Sequence, residues 1–129
     1  MNSRSRFRLF VVASFALASI GCPAPTNPTE GFGTFEGLYL QGFEVSAFTV
    51  CGAGAPSSST GYWLAGNAEF NDRYNALATT RGSNAFGPTV YAKFSGTLSD
   101  RGRFGHLGAY SREITVKQLV TMEVRDTCP

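Results

Sequence analysis

The sequence predicts a mainly β domain with one short helix, folded as a small antiparallel β-barrel or sandwich and held by one disulfide. Two segments alternate apolar and polar residues, which is the period of a half-buried strand, and one segment has helical periodicity. The chain also has 15 glycines and 13% aromatic residues against 16% charged residues. This balance favours a compact β fold with tight bends.

The first strand region covers residues 36–50 and changes its pattern at Gly42. Leu38 and Leu40 share one parity, whereas the apolar residues after Gly42 share the other. A shift of one residue at a glycine is what a β-bulge or a sharp bend produces. We therefore expect one long bent strand, and the alternative is a hairpin that turns near Gln41 and Gly42.

A short strand and a helix follow a loop rich in glycine and serine. Residues 62–65 are predicted as the strand, with Trp63 as a core residue rather than a platform for a ligand. Residues 67–78 are predicted as the helix, with Asn67 as its N-cap. The apolar face of this helix comprises Phe70, Tyr74, Leu77 and Ala78.

Two further strands are predicted at residues 89–98 and 113–125. Gly96 interrupts the first and marks a bend or a close backbone contact. Gln118 and Leu119 break the alternation of the second, so we expect a bend or an edge there. The side chains expected to share the inner face are Val90, Ala92, Phe94, Leu98, Ile114, Val116, Val120, Met122 and Val124.

The predicted order of a strand, a short strand, a helix and two strands resembles the OB-fold, a small barrel that binds oligonucleotides and oligosaccharides. Long strands interrupted by glycine fit a closed or nearly closed barrel. A β-sandwich is the alternative architecture. Because the resemblance covers only the order of the elements, it implies a fold and not a ligand.

The charge of the chain argues against nucleic acid as a partner. Eleven Lys and Arg against nine Asp and Glu give a net charge of +2, but Arg4, Arg6 and Arg8 lie within the first 21 residues. Without that segment eight basic residues face nine acidic ones, which gives −1. Binding to phosphates needs a basic excess, which this chain lacks.

The first 21 residues have the three parts of a secretory signal. A basic stretch ends at Arg8, twelve uncharged and mostly apolar residues follow at 9–20, and small residues lead to Gly21 and Cys22. Twelve residues make about 18 Å of helix, which is well short of the roughly 30 Å of a hydrocarbon core. A cleaved signal is therefore favoured over a membrane-spanning helix.

Residues 18–22 (ASIGC) resemble the lipobox of bacterial lipoproteins, although Ser19 stands where leucine is usual. The resemblance implies that the signal peptide 1–21 is removed and that Cys22 carries lipid, palmitate included. Pro23 after the cysteine, rather than Asp, implies sorting to the outer membrane, facing the periplasm. The alternative is ordinary secretory cleavage, which leaves Cys22 as a thiol.

This resemblance divides the mature chain into a Pro-rich tether at residues 22–33 and a β-rich domain at residues 34–129. It also accounts for the three cysteines. With Cys22 carrying lipid, Cys51 and Cys128 remain in an oxidising compartment, where we expect them to form a disulfide. A metal site is the alternative, but a single histidine and two oxidised cysteines supply too few ligands. We therefore expect no metal and no cofactor.

The most unusual segment of the domain is residues 100–110, which contain three glycines and the single histidine. A loop of this composition is suited to binding an anion, a glycan or a protein. The alternative is a turn and a short strand, with His106 packed against its neighbours. The candidate binding residues are Arg101, Arg103, Phe104, His106 and Tyr110.

A second candidate surface involves Glu44 and Ser46, which are expected on the face opposite the core. With Tyr39 or Trp63 they would line a groove, and the alternative is a plain solvent face. The sequence has no GxSxG, HExxH, CxxC or dinucleotide fingerprint, so we expect no catalytic residues and no enzyme.

These features together favour a lipid-anchored lipoprotein of the cell envelope with a non-enzymatic interaction or structural domain. Its expected partners are the membrane, through Cys22, and an envelope protein or a glycan. The alternative is a ligand-binding or hydrolase-inhibitor module of the periplasm that takes a glycan, a metal or a protein.

Overall fold

The computed structural model of the chain describes residues 30–54, 60–79 and 86–129. The predicted signal peptide and Cys22 therefore lie outside the described residues. The elements are β1 (Gly31–Gly42), β2 (Val45–Val50), β3 (Tyr62–Ala65), α1 (Ala68–Thr79), β4 (Val90–Leu98) and β5 (Glu113–Val124), with a 3₁₀ turn at His106–Gly108. Strand β1 begins three residues before the predicted start of the domain, so the end of the predicted tether is part of the sheet.

The five strands form one sheet that closes in a ring in the order β1-β2-β3-β5-β4, with β4 pairing back onto β1. This confirms the mainly β class with one helix, and α1 lies between the short strand β3 and strand β4, where the sequence predicted the helix. The sheet is mixed rather than antiparallel, because β3 and β5 run parallel. Between them the chain passes through α1 and β4, which provides the long crossover that a parallel pair needs.

The expected single bent strand at residues 36–50 is wrong, and the hairpin is correct. β1 ends at Gly42 and β2 begins at Val45, and these two residues pair with each other across the sheet. Phe43 and Glu44 form the turn between them. The change in apolar parity at Gly42 thus reflects a two-residue turn, and Phe43, which alternation assigns to an inner row, is 81% exposed.

The helix closes one end of the ring with its predicted apolar face. Phe70 and Tyr74 are buried, and each ring centroid lies 5.1 Å from that of Tyr39. The Phe70 N–H donates to Asn67 Oδ1 at 2.9 Å, which confirms the predicted N-cap. The remaining core comes mainly from alternate residues of the strands, among them Phe35, Phe48, Val90, Ala92, Phe94, Leu98, Ile114, Val116 and Met122.

The predicted irregularity of β5 is confirmed. Its pairing with β4 shifts twice, and the shifts leave Lys117 and Val120 without a partner residue on β4, on either side of Gln118 and Leu119. Val120 is 62% exposed, so its predicted inward position is wrong: a β-bulge reverses the side on which a residue lies. Gly96 makes the predicted close contact, because a Cβ there would lie 2.6 Å from the Thr115 carbonyl oxygen.

The predicted disulfide between Cys51 and Cys128 is confirmed, with Cα atoms 5.8 Å apart. It joins the residue that follows β2 to the penultimate residue of the chain. The C-terminal segment is therefore fixed to the sheet after β5 has ended. In the three described ranges no helix combines the length and the hydropathy needed to span a membrane.

Candidate interaction site

The candidate binding segment is an ordered hairpin that extends from β4 and β5, and we call residues 99–112 the β4–β5 hairpin. Phe104 and Tyr110 exchange backbone hydrogen bonds of 2.9 and 3.2 Å, and the Gly102 N–H donates to the Ser111 carbonyl at 2.9 Å. The 3₁₀ turn at His106–Gly108 forms its tip. The segment therefore presents its tip from a paired stem rather than from an irregular loop.

The hairpin lies against Trp63 on the outer face of β3. The Trp63 and Tyr110 ring centroids are 5.6 Å apart, and the Gly105 backbone contacts the six-membered ring of the indole. Trp63 is half-buried and outside the core cluster, so its predicted core position is wrong. Leu64 takes the inward position of this short strand instead. The Trp63 indole thus supports the hairpin, and the face of the ring that contacts Gly105 is not available to a ligand.

An ion pair and a histidine–carboxylate contact connect the hairpin to the residues that flank β1. At the stem, Arg112 Nη2 lies 2.6 Å from Glu30 Oε1, just before β1 begins. At the tip, His106 Nε2 lies 3.2 Å from Glu44 Oε2, just after β1 ends. Nearly half of the His106 side chain is exposed, so the expectation that it packs among its neighbours does not describe it. The hairpin therefore bridges the two ends of β1.

The tips of the β1–β2 turn and of the hairpin form one exposed surface, which we call the loop-tip surface: Phe43, Glu44, His106 and Leu107. Phe43 and Leu107 are each 81% exposed, and each is adjacent in sequence to one member of the Glu44–His106 contact. Glu44 has a φ of 56° and Leu107 a φ of 55°, the positive φ values recorded outside glycine in the described residues. This conformation is unfavourable for a bulky residue, and such residues cluster at functional sites.

The five predicted binding residues have different positions in this hairpin. Arg101 is exposed at the stem, and Arg103 Nη2 donates to the Leu107 carbonyl at 3.2 Å, which braces the tip. Tyr110 is buried against Trp63, which raises its pKa, and Phe104 is half-buried in the stem. His106 alone of the five belongs to the loop-tip surface.

The sequence did not identify Phe43 or Leu107 as candidates. Both are apolar residues in turns, and alternation assigned Phe43 to an inner row. The one available signal was Leu107, an apolar residue one position before Gly108 in a short segment with three glycines. The tertiary contact between Glu44 and His106, 62 positions apart in the sequence, is what unites the two tips.

The expected outer groove beside Ser46 is not formed. The Ser46 hydroxyl donates to the Leu64 carbonyl at 2.6 Å and lies 3.2 Å from the Tyr39 hydroxyl, so it faces the interior. Burial raises the pKa of Tyr39 to about 12, although the Ser46 hydrogen bond opposes the shift. These hydroxyl groups therefore satisfy one another inside the ring.

In the described residues no group of three or more His, Cys, Asp or Glu side chains could hold a metal ion. The His106–Glu44 pair is an exposed contact at a protruding tip, whereas catalytic acid–base pairs lie in clefts. Comparisons of the chain with protein-family models, with curated proteins and with solved structures gave no match. We therefore interpret the loop-tip surface from its own geometry.

Proposed function

We propose that the chain is a lipid-anchored lipoprotein of the outer membrane whose β domain is a non-enzymatic interaction module. In this proposal the loop-tip surface contacts a partner protein of the envelope. The observation that carries it is the Glu44–His106 contact, which joins two turns that each expose an apolar side chain. Burial of one such side chain contributes about 1.5–3 kcal/mol, so a partner gains affinity from a preformed arrangement.

The shape of the site supports a protein rather than a glycan as the partner. A glycan site would offer a flat aromatic ring beside a groove, but Trp63 is partly covered by Gly105 and Tyr110, and the exposed ring of Phe43 stands on a turn. Phe43 and Leu107 protrude from turn tips instead. Protruding apolar side chains that fill recesses on a partner are typical centres of protein–protein interfaces.

The position of the tether supports this use of the tips. The lipid proposed at Cys22 is connected to the domain at Glu30, directly before β1. The loop-tip surface begins at Phe43, directly after β1. Twelve residues of strand thus separate the anchored end from the tips, which leaves the tips available to a partner away from the bilayer.

Metabolic labelling with palmitate tests the anchor. The wild-type chain should incorporate label and float with membranes, whereas the Cys22→Ser variant should do neither. A Cys22→Ser protein of full length that still takes up label contradicts the proposal.

Site-specific photo-crosslinking in cells tests the surface. A photoreactive residue at position 43 or 107 should capture the same envelope protein, and His106→Ala should lower both yields. Position 120 is the matched control, since Val120 is exposed and lies on β5 away from the tips. Equal capture of that protein from position 120 contradicts the assignment of the tips as the contact surface.

A hydrolase inhibitor is a second candidate, favoured by the braced tip that projects Leu107 from the hairpin. Such a tip is suited to entering a cleft of an enzyme. Inhibition of lysozyme or another envelope-degrading hydrolase, lost in Leu107→Ser and kept in Val120→Ser, would support this candidate. If no hydrolase of a panel is inhibited, the inhibitor candidate is rejected and the interaction module remains as the proposed function.

A further inference from the structure

The start of β1 carries a second exposed aromatic side chain, Phe32, which is 73% exposed. The Glu30–Arg112 ion pair fixes this end of β1 beside the stem of the β4–β5 hairpin. Arg101 is exposed at the same stem, next to Gly102, whose N–H donates to the Ser111 carbonyl. We call Phe32 and Arg101 the tether-end surface.

We propose that the tether-end surface rests on the bilayer that holds the anchor, with Phe32 in the headgroup region and Arg101 beside lipid phosphates. This inference rests on the proposed lipid at Cys22. It assigns the domain an orientation on the membrane: the tether end faces the lipid and the loop-tip surface faces away from it.

The length of the tether supports a lipid surface as the occupant. Glu30 lies eight positions after Cys22, and a chain of that length spans at most about 29 Å. The tether-end surface therefore cannot move far from the bilayer. Once the lipid anchor is inserted, a tether this short holds the tether-end surface at an effective concentration of about the millimolar range near the bilayer. A single aromatic residue and a single arginine, too weak to bind a free domain to lipid, then suffice to orient an anchored one.

The chemistry of the surface fits the headgroup region. Aromatic side chains are enriched at membrane–water interfaces, and basic side chains are attracted to anionic lipids. Around the hairpin stem three arginines (Arg101, Arg103, Arg112) face three acidic residues (Glu30, Asp100, Glu113), so the attraction to lipid phosphates rests on the exposed Arg101 rather than on a basic excess. At the opposite end of β1 the turn presents the Glu44 carboxylate, which anionic lipid repels.

Fluorescence quenching from the lipid side tests the orientation. A small fluorescent amino acid is placed at position 32, 43 or 120 of the anchored protein, in vesicles of phosphatidylethanolamine and phosphatidylglycerol. Lipids carrying a nitroxide near the headgroup act as the quencher. We expect several-fold stronger quenching at position 32 than at positions 43 and 120. Quenching at position 43 that equals or exceeds that at position 32 overturns the proposal.

Charge reversal gives the matched control. Arg101→Glu should weaken the quenching at position 32, whereas Arg125→Glu should leave it unchanged. Arg125 follows β5 beside the first residues of β4, at the opposite end of that strand from Arg101. Equal effects of the two variants would indicate general electrostatics and overturn the proposed contact.

The same measurement separates this inference from the failure of the anchor. If the chain made in cells carries no lipid, Cys22 of the purified mature protein is coupled to a maleimide phospholipid in the same vesicles. Stronger quenching at position 32 then supports the surface even though the proposed lipidation has failed. Uniform quenching at the three positions in that preparation overturns the surface independently of the anchor.

Discussion

Gly105 lies with its backbone against the six-membered ring of Trp63, and a Cβ at this position would collide with the indole. Its φ of 70° and ψ of −170° also belong to a region that glycine alone readily adopts. The hairpin is thus seated on β3 through a contact that depends on the missing side chain. Because Trp63 is the sole tryptophan, its fluorescence reports on this contact.

Gly105→Ala should detach the tip of the hairpin from the sheet. The substitution adds both a steric clash and a strained φ, so we expect a loss of about 2–3 kcal/mol in the free energy of unfolding and a red shift of Trp63 emission. Gly54→Ala is the control, since Gly54 has a φ of 97° but open space around its Cα. Equal losses in the two variants would show that contact with the indole is unimportant.

His106→Ala should change partner capture more than stability. The contact with Glu44 is about half exposed, and even a fully charged exposed pair contributes only about 0–1 kcal/mol. We therefore expect a small change in a urea denaturation midpoint, together with faster amide exchange at the hairpin tip. Glu44→Gln should give the same result. A large loss of stability with unchanged capture would assign the pair to folding instead.

The sequence predicted the regular elements through local chemistry. Asn67 caps α1, and alternation in residues 89–98 predicted the buried faces of Val90 and Phe94, because both signals depend on neighbours in the chain. The β1–β2 hairpin was only the alternative to a bent strand, because its turn is Phe43-Glu44, without the Gly or Asn that such turns favour.

The errors at Val120 and Trp63 have a tertiary origin. Val120 is displaced by a bulge whose place depends on pairing with β4, and Trp63 is on the outer face because the hairpin covers it there. For the same reason the sequence predicted one segment of the candidate site, residues 100–110, but not its contact with the β1–β2 turn. Its composition identified the hairpin, but the contact of His106 with Glu44 depends on how the ring closes.

Removal of the disulfide should destabilise the domain without changing its strand order. The bond closes a loop between residues separated by 77 positions, and chain entropy gives a contribution of roughly 4 kcal/mol for that length. Cys51→Ser with Cys128→Ser should therefore lower the free energy of unfolding by about that amount in urea. Without reduction, the wild-type protein should show no alkylatable thiol at Cys51 or Cys128. Labelling at either one contradicts the bond.

Thr49→Val should stabilise the domain. The Thr49 side chain is fully buried, and its Oγ1 has no hydrogen-bond partner among the described residues. Removal of an unsatisfied hydroxyl at nearly constant shape should raise the free energy of unfolding by about 1 kcal/mol. Ser46→Ala is the contrasting variant. The Ser46 hydroxyl donates to the Leu64 carbonyl, so its removal should lower the free energy of unfolding by about 1–2 kcal/mol. If both variants change the free energy of unfolding in the same direction, the proposed difference between the unpaired Thr49 hydroxyl and the paired Ser46 hydroxyl is wrong.

The domain should lose stability at alkaline pH because of Tyr39. Burial raises the pKa of this phenol to about 12, while in the unfolded chain the phenol has its ordinary pKa of 10.0. Above pH 10 the unfolded state therefore binds fewer protons than the folded state, and the free energy of unfolding falls as the pH rises. Between about pH 9 and about pH 11 the loss from Tyr39 alone should be about 1.4 kcal/mol, since one pKa unit corresponds to that energy. Burial raises the pKa of Tyr74 in the same direction.

Tyr39→Phe isolates the contribution of this phenol. The variant also loses the contact with Ser46, so its stability at neutral pH is not the informative quantity. The slope of the free energy of unfolding against pH is informative, and it should be shallower than that of the wild type above about pH 10. Tyr62→Phe is the control, because Tyr62 lies at the start of β3 and is only half-buried. A wild-type slope in Tyr39→Phe would mean that other groups cause the alkaline loss.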